Sequence, residues 1–217
     1  MSINYSNGFD NFDMVLFINL DHRKDRLIHI TSELNKTNIN KKKIYRIPGI
    51  YNKKFGAIGC SKSHILALKF FLNSSESNKT CLILEDDFEF TQPQNIINDL
   101  LNKVFNSDIN KFDVLMLASN TVYQYGVDNI PFVTKIIDAQ TLSGYVVSRK
   151  FAPILLQNFK QGVELLEPFG KPVGSFCVDM FCKKLQPIYN WYCICPKIGK
   201  QSESYSDIEN RRVNYGV

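Results

Sequence analysis

The sequence lacks the long apolar runs, the leader and the glycine-rich signatures that mark several common classes of protein. No apolar run approaches the length that spans a membrane, and no charged start followed by an apolar stretch opens the chain. No G-x-G-x-x-G, P-loop or G-x-S-x-G pattern occurs, so dinucleotide-binding enzymes, P-loop NTPases and hydrolases with a nucleophile elbow are not indicated. We therefore expect neither a transmembrane segment nor a signal peptide.

Histidine is scarce, and the cysteines have no zinc-finger spacing. The chain has three histidines and six cysteines. None of the cysteines forms a C-x-x-C pair, so we expect neither a zinc site nor a disulfide framework. Reduced cysteines predict a cytoplasmic protein, in a bacterium or in a host cell if the gene is viral.

The net charge is mildly positive, +5 at pH 7. Lys41-Lys42-Lys43 and Lys53-Lys54 carry much of the excess. A nucleic-acid-binding protein is expected to present a basic stripe on one face, and these runs are too few and too scattered for one. The excess instead fits an anionic small-molecule ligand or an acidic surface, and the simplest interpretation of the runs is a solvated face.

The order of apolar runs in the first half predicts a single α/β domain. Continuous apolar runs at residues 14–20 and 81–84 are typical of strands buried on both faces. Segments with helical spacing of apolar residues lie at 23–35, 61–72 and 94–104. Strands that alternate with helices favour a largely parallel sheet. Residues 1–11 are polar and predict a flexible N-terminal tail, which leaves 12–217 as the domain.

Beyond residue 113 we expect short elements around a long loop. The predicted strands are 114–117, 135–137, 145–147 and 190–195, and the predicted helices are 151–159 and 176–185. Residues 119–132 are predicted to form the loop. In the first half, Gly56-Ala57-Ile58-Gly59 is predicted to form a turn, with Ser61 or Ser63 opening the helix that follows.

The strongest local signal is Glu85-Asp86-Asp87, directly after a buried strand. Ligands of open α/β sheets bind beyond the carboxyl ends of strands. Strand alternation predicts that Glu85 and Asp87 point the same way and Asp86 the opposite way. Two converging carboxylates repel unless a cation or a proton lies between them, and oxygen ligands suit Mg²⁺ or Mn²⁺ on a diphosphate. The alternative is an acidic turn that caps the next element.

Two further clusters offer groups to an anionic ligand. Arg23 and Arg26 lie one helical turn apart, and arginine is suited to bidentate phosphate contacts. The helix that starts within residues 56–64 offers free backbone amides, and His64 is a candidate to hydrogen-bond a donor or to tune a carboxylate. The alternatives are an exposed charged helical turn and a capped helix with a satisfied histidine.

Taken together, the three clusters resemble glycosyltransferase family 25. That family includes lipooligosaccharide galactosyltransferases and the galactosyltransferase domain that modifies hydroxylysine in collagen. The matching blocks stand in family order over about residues 14–208: Ile18-Asn19-Leu20-Asp21-His22-Arg23-Lys24-Asp25-Arg26, Gly56-Ala57-Ile58-Gly59-Cys60-Ser61-Lys62-Ser63-His64, Ile83-Leu84-Glu85-Asp86-Asp87, Tyr145-Val146-Val147-Ser148-Arg149 with Ala152, and Ser206-Asp207-Ile208. The first three blocks are specific in combination, and the last two are weak alone.

The resemblance implies a GT-A fold, which is Rossmann-like with a mostly parallel sheet flanked by helices. It also implies a UDP-sugar donor and inversion at the anomeric carbon. The implied donor-binding residues are Asn19, Leu20, Arg23, Arg26, Ser63, His64, Glu85 and Asp86, and the implied metal ligands are Asp87 and Glu85. Many GT-A enzymes have a late histidine as a further ligand, whereas His64 is the last histidine here, so Asp207, Gln201 or water would take that place.

An inverting transferase also needs a base for the acceptor hydroxyl, and the candidate is Asp179. It is predicted to start a helix across the cleft from the metal, where a carboxylate within hydrogen-bond reach could take the proton. The alternative is an acid placed at a helix N-terminus because the helix dipole favours it there.

These expectations describe an enzyme that moves galactose or glucose from a UDP-sugar to a glycan, a lipid-linked sugar or a protein, with Mn²⁺ or Mg²⁺ on the diphosphate. The main alternative is an inactive nucleotide-sugar-binding domain that assists a partner enzyme. A metal-dependent phosphodiesterase or nucleotidyltransferase is less favoured, because the chain has one obvious acidic cluster. A glycosidase, which needs two carboxylates flanking a sugar, stays open. So do peripheral membrane association and a homodimer.

Overall fold

The computed structural model describes residues 7–169, 174–206 and 211–213 of the 217-residue chain. Its helices and strands, in chain order, are β1 (Met14–Asn19), α1 (Lys24–Asn35), β2 (Ile44–Pro48), α2 (Gly56–Leu72), β3 (Thr80–Glu85), β4 (Phe88–Phe90), α3 (Gln94–Phe105), β5 (Val114–Val127), β6 (Ile130–Ser148), α4 (Ala152–Leu166), α5 (Val178–Phe181), β7 (Trp191–Ile194), β8 (Gly199–Gln201), β9 (Ser204–Ser206) and β10 (Arg211–Val213). None of the helices in the described ranges combines the length and the apolar character that crossing a bilayer needs.

A six-stranded sheet forms the centre of the domain, in the order β2-β1-β3-β6-β5-β7. Strand β1 runs parallel to β2 and β3, and β5 runs parallel to β7, whereas β6 runs antiparallel to each of its neighbours. Five of the six strands therefore point the same way. The predicted fold class, an α/β domain with a mainly parallel sheet flanked by helices, is confirmed.

Alternation along β1 explains why its residues from Met14 to Ile18 are all apolar. Leu16 belongs to a core that includes residues of α2 and α4, whereas Val15 belongs to a second core with residues of α1 and α3. Successive side chains of a strand point to opposite faces, and helices cover both faces here. The continuous apolar runs at 14–20 and 81–84 follow from this two-sided burial.

Part of the predicted N-terminal tail is folded. Gly8–Asn11 forms a short 3-10 helix whose Phe9 ring is fully buried and packs edge-on against Phe90 at 5.5 Å. An added Cβ at Gly8 would lie 2.6 Å from the carbonyl oxygen of Asn98, so this segment seats closely on α3. The buried position of Phe9 is not evident in the sequence, because this ring stands singly among polar neighbours. Residues 1–6 lie outside the described part of the chain.

The loop predicted over residues 119–132 is wrong, because β5 and β6 form a long antiparallel hairpin that pairs as far as Val127 and Ile130. Its turn includes Asn129 at φ 61°, a left-handed conformation that asparagine tolerates and that tight hairpin turns require. Much of β5 beyond residue 119 is exposed, so it lacks the apolar alternation by which a half-buried strand is identified.

The turn predicted at residues 56–59 is instead the first turn of α2. An added Cβ at Gly59 would lie 2.3 Å from the carbonyl oxygen of Ile50, so glycine is needed there for close packing of the helix against the preceding loop. Ser61 and Ser63 consequently lie inside the helix and do not open it.

Candidate active site

The three acidic residues lie at the carboxyl end of β3, where the sheet can receive a ligand. Glu85 is the last residue of β3, and Asp86 and Asp87 form the turn that leads into β4. Strand β1 runs parallel to β3, so Asn19 at its end reaches the same edge of the sheet. Strand β8 pairs with β4 and brings Gln201 opposite Phe88.

Arg26 joins Asp86 and Asp87 in one buried cluster. Its Nη1 lies 3.0 Å from Asp86 Oδ1 and 3.0 Å from Asp87 Oδ2. Asn19 Nδ2 donates to Asp86 Oδ2 at 2.7 Å, and Gln201 Nε2 donates to Asp87 Oδ2 at 3.1 Å. The prediction that Asp86 points away from Asp87 is therefore wrong. The strand ends before these two residues, and a turn does not keep the strand alternation.

Glu85 points instead toward α2. Its Oε1 lies 3.0 Å from His64 Nε2 and 3.6 Å from Cys60 Sγ, and His64 Nδ1 lies 3.1 Å from Tyr145 Oη. Burial opposes ionisation of Glu85, but the hydrogen bond and the charge of His64 outweigh it and hold the pKa below its usual value. Glu85 is therefore a fixed negative charge at neutral pH.

The cluster as a whole carries more negative charge than Arg26 can balance. Burial, with the nearby charge of Glu85, raises the pKa of Asp87 to about 7. Burial also raises the pKa of Asp86, although Arg26 and Asn19 oppose it. In addition, Asp87 Oδ1 is buried without a hydrogen-bond partner among the described residues. Converging carboxylates of this kind are stabilised by a proton or a cation, and the free oxygen suits a hard cation.

A pocket of about 300 Å³ opens beside Glu85, at the lower end of the range for small-molecule sites. Asp179, Asn120, Gln140 and Gln201 also line it. Asp179, the candidate base, and Glu85, one candidate metal ligand, thus line the same pocket.

The backbone of the pocket wall next to Asp179 has an unusual conformation at Thr141. Burial raises the pKa of Asp179, while a hydrogen bond of 3.3 Å from the Thr141 backbone N–H to Oδ2 opposes the rise. Thr141 has φ 76°, which is rare for a β-branched residue, and strained conformations of this kind cluster at functional sites. The backbone therefore orients this carboxylate at the edge of the pocket.

Three of the implied donor-binding residues make other contacts. Arg23 Nη2 lies 2.8 Å from Asp25 Oδ2, and the Leu20 carbonyl accepts from the Arg23 N–H. Ser63 Oγ accepts from the Ile50 N–H at 2.8 Å and donates to the Gly59 carbonyl at 2.7 Å, so it fixes a loop to α2. Leu20, Arg23 and Ser63 do not line the 300 Å³ pocket.

Sequence reasoning missed two amide side chains on the pocket wall. Asn120 and Gln140 are direct partners across β5 and β6. Asn120 falls in the predicted loop and Gln140 between two predicted strands, so the sequence does not indicate that the two residues pair. Of the substitutes proposed for a late histidine ligand, Gln201 lies beside Asp87, and Asp207 lies outside the described residues.

Comparison with known proteins finds distant structural likenesses. No protein-family model and no curated protein matches the chain. A protein from STIV superposes with TM-score 0.45 at 12% identity over 83% of this chain and 81% of that one. The apo-form glycosyltransferase GlyE of Streptococcus pneumoniae gives 0.46 at 12% over 83% and 44%, and the mannose-1-phosphate geranyltransferase of Thermus thermophilus gives 0.44 at 9% over 89% and 60%. The chain thus spans less than two thirds of the last two proteins, and likenesses this weak carry no conclusion about activity.

Proposed function

We propose that this protein is a metal-dependent glycosyltransferase that moves a hexose from a UDP-sugar to an acceptor hydroxyl with inversion. One observation carries the proposal. Under-neutralised carboxylates at residues 85–87 lie at the carboxyl end of a parallel strand, and Glu85 shares a pocket with Asp179. A divalent ion in such a position is a common means of holding a diphosphate.

The contacts among distant segments support a shared site of the kind that the resemblance to glycosyltransferase family 25 implies. The first three blocks of the resemblance meet in space: Asn19 and Arg26 contact Asp86, and His64 contacts Glu85. Residues far apart in sequence thus converge on the acidic cluster. Asn19 and Arg26 act by positioning this cluster at the edge of the donor site.

The residues present fit a hard divalent ion such as Mn²⁺ or Mg²⁺. Asp87, through the buried Oδ1, and Glu85 would hold it, with Gln201 next to Asp87. When bound, the ion neutralises the charge that grows on the diphosphate as UDP leaves. Arg26 remains as the fixed positive charge that keeps Asp86 and Asp87 folded into the turn.

Asp179 is the proposed base. It takes the proton of the acceptor hydroxyl while the hydroxyl oxygen bonds to the anomeric carbon and the bond from that carbon to UDP breaks on the opposite side. A carboxylate whose pKa is raised by burial is a stronger base than an exposed one, and catalysis improves as that pKa approaches the working pH. Asn120 and Gln140 offer amide donors and acceptors to sugar hydroxyls beside it.

The test is UDP release by the purified protein with Mn²⁺ and UDP-galactose or UDP-glucose, with and without sugar acceptors. We expect release that chelator abolishes and that Asp87→Ala loses, whereas Asp99→Ala, which changes a half-buried acid on α3, behaves like wild type. Ion-dependent donor binding without any turnover would favour the inactive binding domain. If no UDP-sugar bound in the presence of Mn²⁺, the proposal would be overturned.

A further inference from the structure

Cys60, His64 and Glu85 form a ligand cluster whose chemistry differs from that of Asp87. One ligand atom from each lies within 4.8 Å of the other two. Cys60 and His64 are four residues apart on α2, so they project from the same helix face, and Glu85 approaches from the end of β3. We expected no zinc site because no C-x-x-C pair occurs, but two ligands on one helix with a distant carboxylate do not show that spacing.

Two separations in this cluster, both measured from Glu85, are close to those of a tetrahedral zinc site. Zinc bonds of about 2.3 Å to sulfur and about 2.0–2.2 Å to nitrogen and oxygen place neighbouring ligand atoms about 3.4–3.6 Å apart. Glu85 Oε1 lies 3.6 Å from Cys60 Sγ and 3.0 Å from His64 Nε2. Small side-chain movements would therefore accommodate an ion between the three atoms.

The surroundings also suit a metal ion. A histidine ligand usually has a hydrogen-bond partner on its other ring nitrogen, and Tyr145 Oη lies 3.1 Å from His64 Nδ1. Both rings are fully buried, which fixes the orientation of His64 Nε2. Cys60 and Glu85 line the 300 Å³ pocket, so an ion can enter from that side and keep a fourth position open to a ligand.

We propose that Cys60, His64 and Glu85 bind Zn²⁺ or another thiophilic divalent ion, with a fourth coordination position facing the pocket. A thiolate ligand selects such ions over Mn²⁺ and Mg²⁺. Glu85 is shared with the proposed Mn²⁺ site, so bound Zn²⁺ would take Glu85 away from the ion that holds the diphosphate and would inhibit transfer. This inhibition rests on the proposed function, whereas the binding does not.

Cobalt titration tests the binding, because a thiolate ligand gives Co²⁺ a charge-transfer band that oxygen and nitrogen ligands do not give. We expect one equivalent of Co²⁺ to produce the band in wild type and Zn²⁺ to remove it. Cys60→Ser should lack the band, and Cys177→Ser, a thiol on the same pocket outside the cluster, should keep it. No band in wild type, or a band lost in Cys177→Ser but kept in Cys60→Ser, would overturn the proposal.

A second measurement covers the case in which Cys60→Ser fails to fold. X-ray absorption at the zinc edge of wild type and of Cys177→Ser, each loaded with one equivalent of Zn²⁺, should show one sulfur at about 2.3 Å. A shell of oxygen and nitrogen alone in either protein overturns the site. Neither measurement involves a UDP-sugar. A protein without transfer activity can therefore still bind zinc, and a protein with transfer activity can fail to bind it, so failure of the zinc site is distinguished from failure of the proposed function.

Discussion

Glu85, Asp86 and Asp87 are neighbours in sequence but ionise differently. Glu85 is held ionised by His64, and burial raises the pKa of both Asp86 and Asp87. Local sequence does not distinguish them, because the partners come from β1, α1, α2 and β8. The three residues can therefore supply one permanent charge, on Glu85, and two that respond to protons or to a cation, on Asp86 and Asp87.

Asp179→Asn should separate the base from the donor site. Removing the carboxylate leaves nothing to accept the hydroxyl proton, so we expect kcat to fall by about 10²–10⁴-fold with the donor Kd unchanged. Because the pKa of Asp179 is raised, the acidic limb of the wild-type rate profile should lie above the ordinary range of aspartate. Asp138→Asn, an acid of β6 outside the pocket that pairs with Lys183, is the control. Transfer near the wild-type rate in Asp179→Asn would remove this role.

Arg26→Gln should destabilise the fold and be rescued in part by Mn²⁺. Arg26 is the cation between two buried carboxylates, and removing one partner of a buried ion pair costs about 3 kcal/mol or more. A divalent ion can replace some of the lost charge. Urea unfolding with and without Mn²⁺ measures both effects. Lys103→Gln, which breaks a surface pair with Asp99, should change stability by about 0.5 kcal/mol at most. Equal losses in the two variants would contradict this account.

Elements buried on both faces were predictable, and those outside the core were not. The runs that became β1 and β3 are apolar because helices lie on both sides of the sheet. The β5–β6 hairpin extends beyond that core, so its exposed residues carry no strand pattern. The acidic turn could be placed because it follows β3. The contacts of Tyr145 with His64 and of Gln201 with Asp87 could not be predicted, since they depend on how distant strands pair.

Strands β6 and β8 pack closely around the ring of Phe88, so Gly144→Ala is a sensitive test of this packing. An added Cβ at Gly144 would lie 2.3 Å from the ring of Phe88, and one at Gly199 would meet the same ring at the same distance. The ring is fully buried, so we expect overpacking to cost about 1–3 kcal/mol in urea unfolding. Gly126→Ala, with nothing within 4 Å of the added Cβ, should be neutral or slightly stabilising. A similar loss in both variants would point to backbone conformation instead of the ring.

At the scale of the whole molecule, the acidic turn links the stability of the domain to pH. The pKa of Asp87 is raised to about 7 in the folded state, above its value in the unfolded chain. The folded protein therefore binds more protons between the two values. The stabilisation that Asp87 contributes to the folded state is complete below about pH 4 and is lost as the pH rises through about 7. Carboxylates with lowered pKa values, such as Asp25 and Glu85, act in the opposite direction.

Comparing wild type with Asp87→Asn isolates the contribution of Asp87 to the free energy of unfolding, because the other carboxylates are common to both proteins. From about pH 5 to about pH 8, wild type should lose stability relative to Asp87→Asn in urea unfolding without metal. Saturating Mn²⁺ competes with the proton for Asp87, so it should stabilise wild type more at the higher pH and reverse the difference, with little effect on the variant. Parallel pH profiles of the two proteins would show that Asp87 ionises normally. A Mn²⁺ effect of equal size in both would place the ion on other residues, and the charge argument for a metal at this end of the sheet would fail with it.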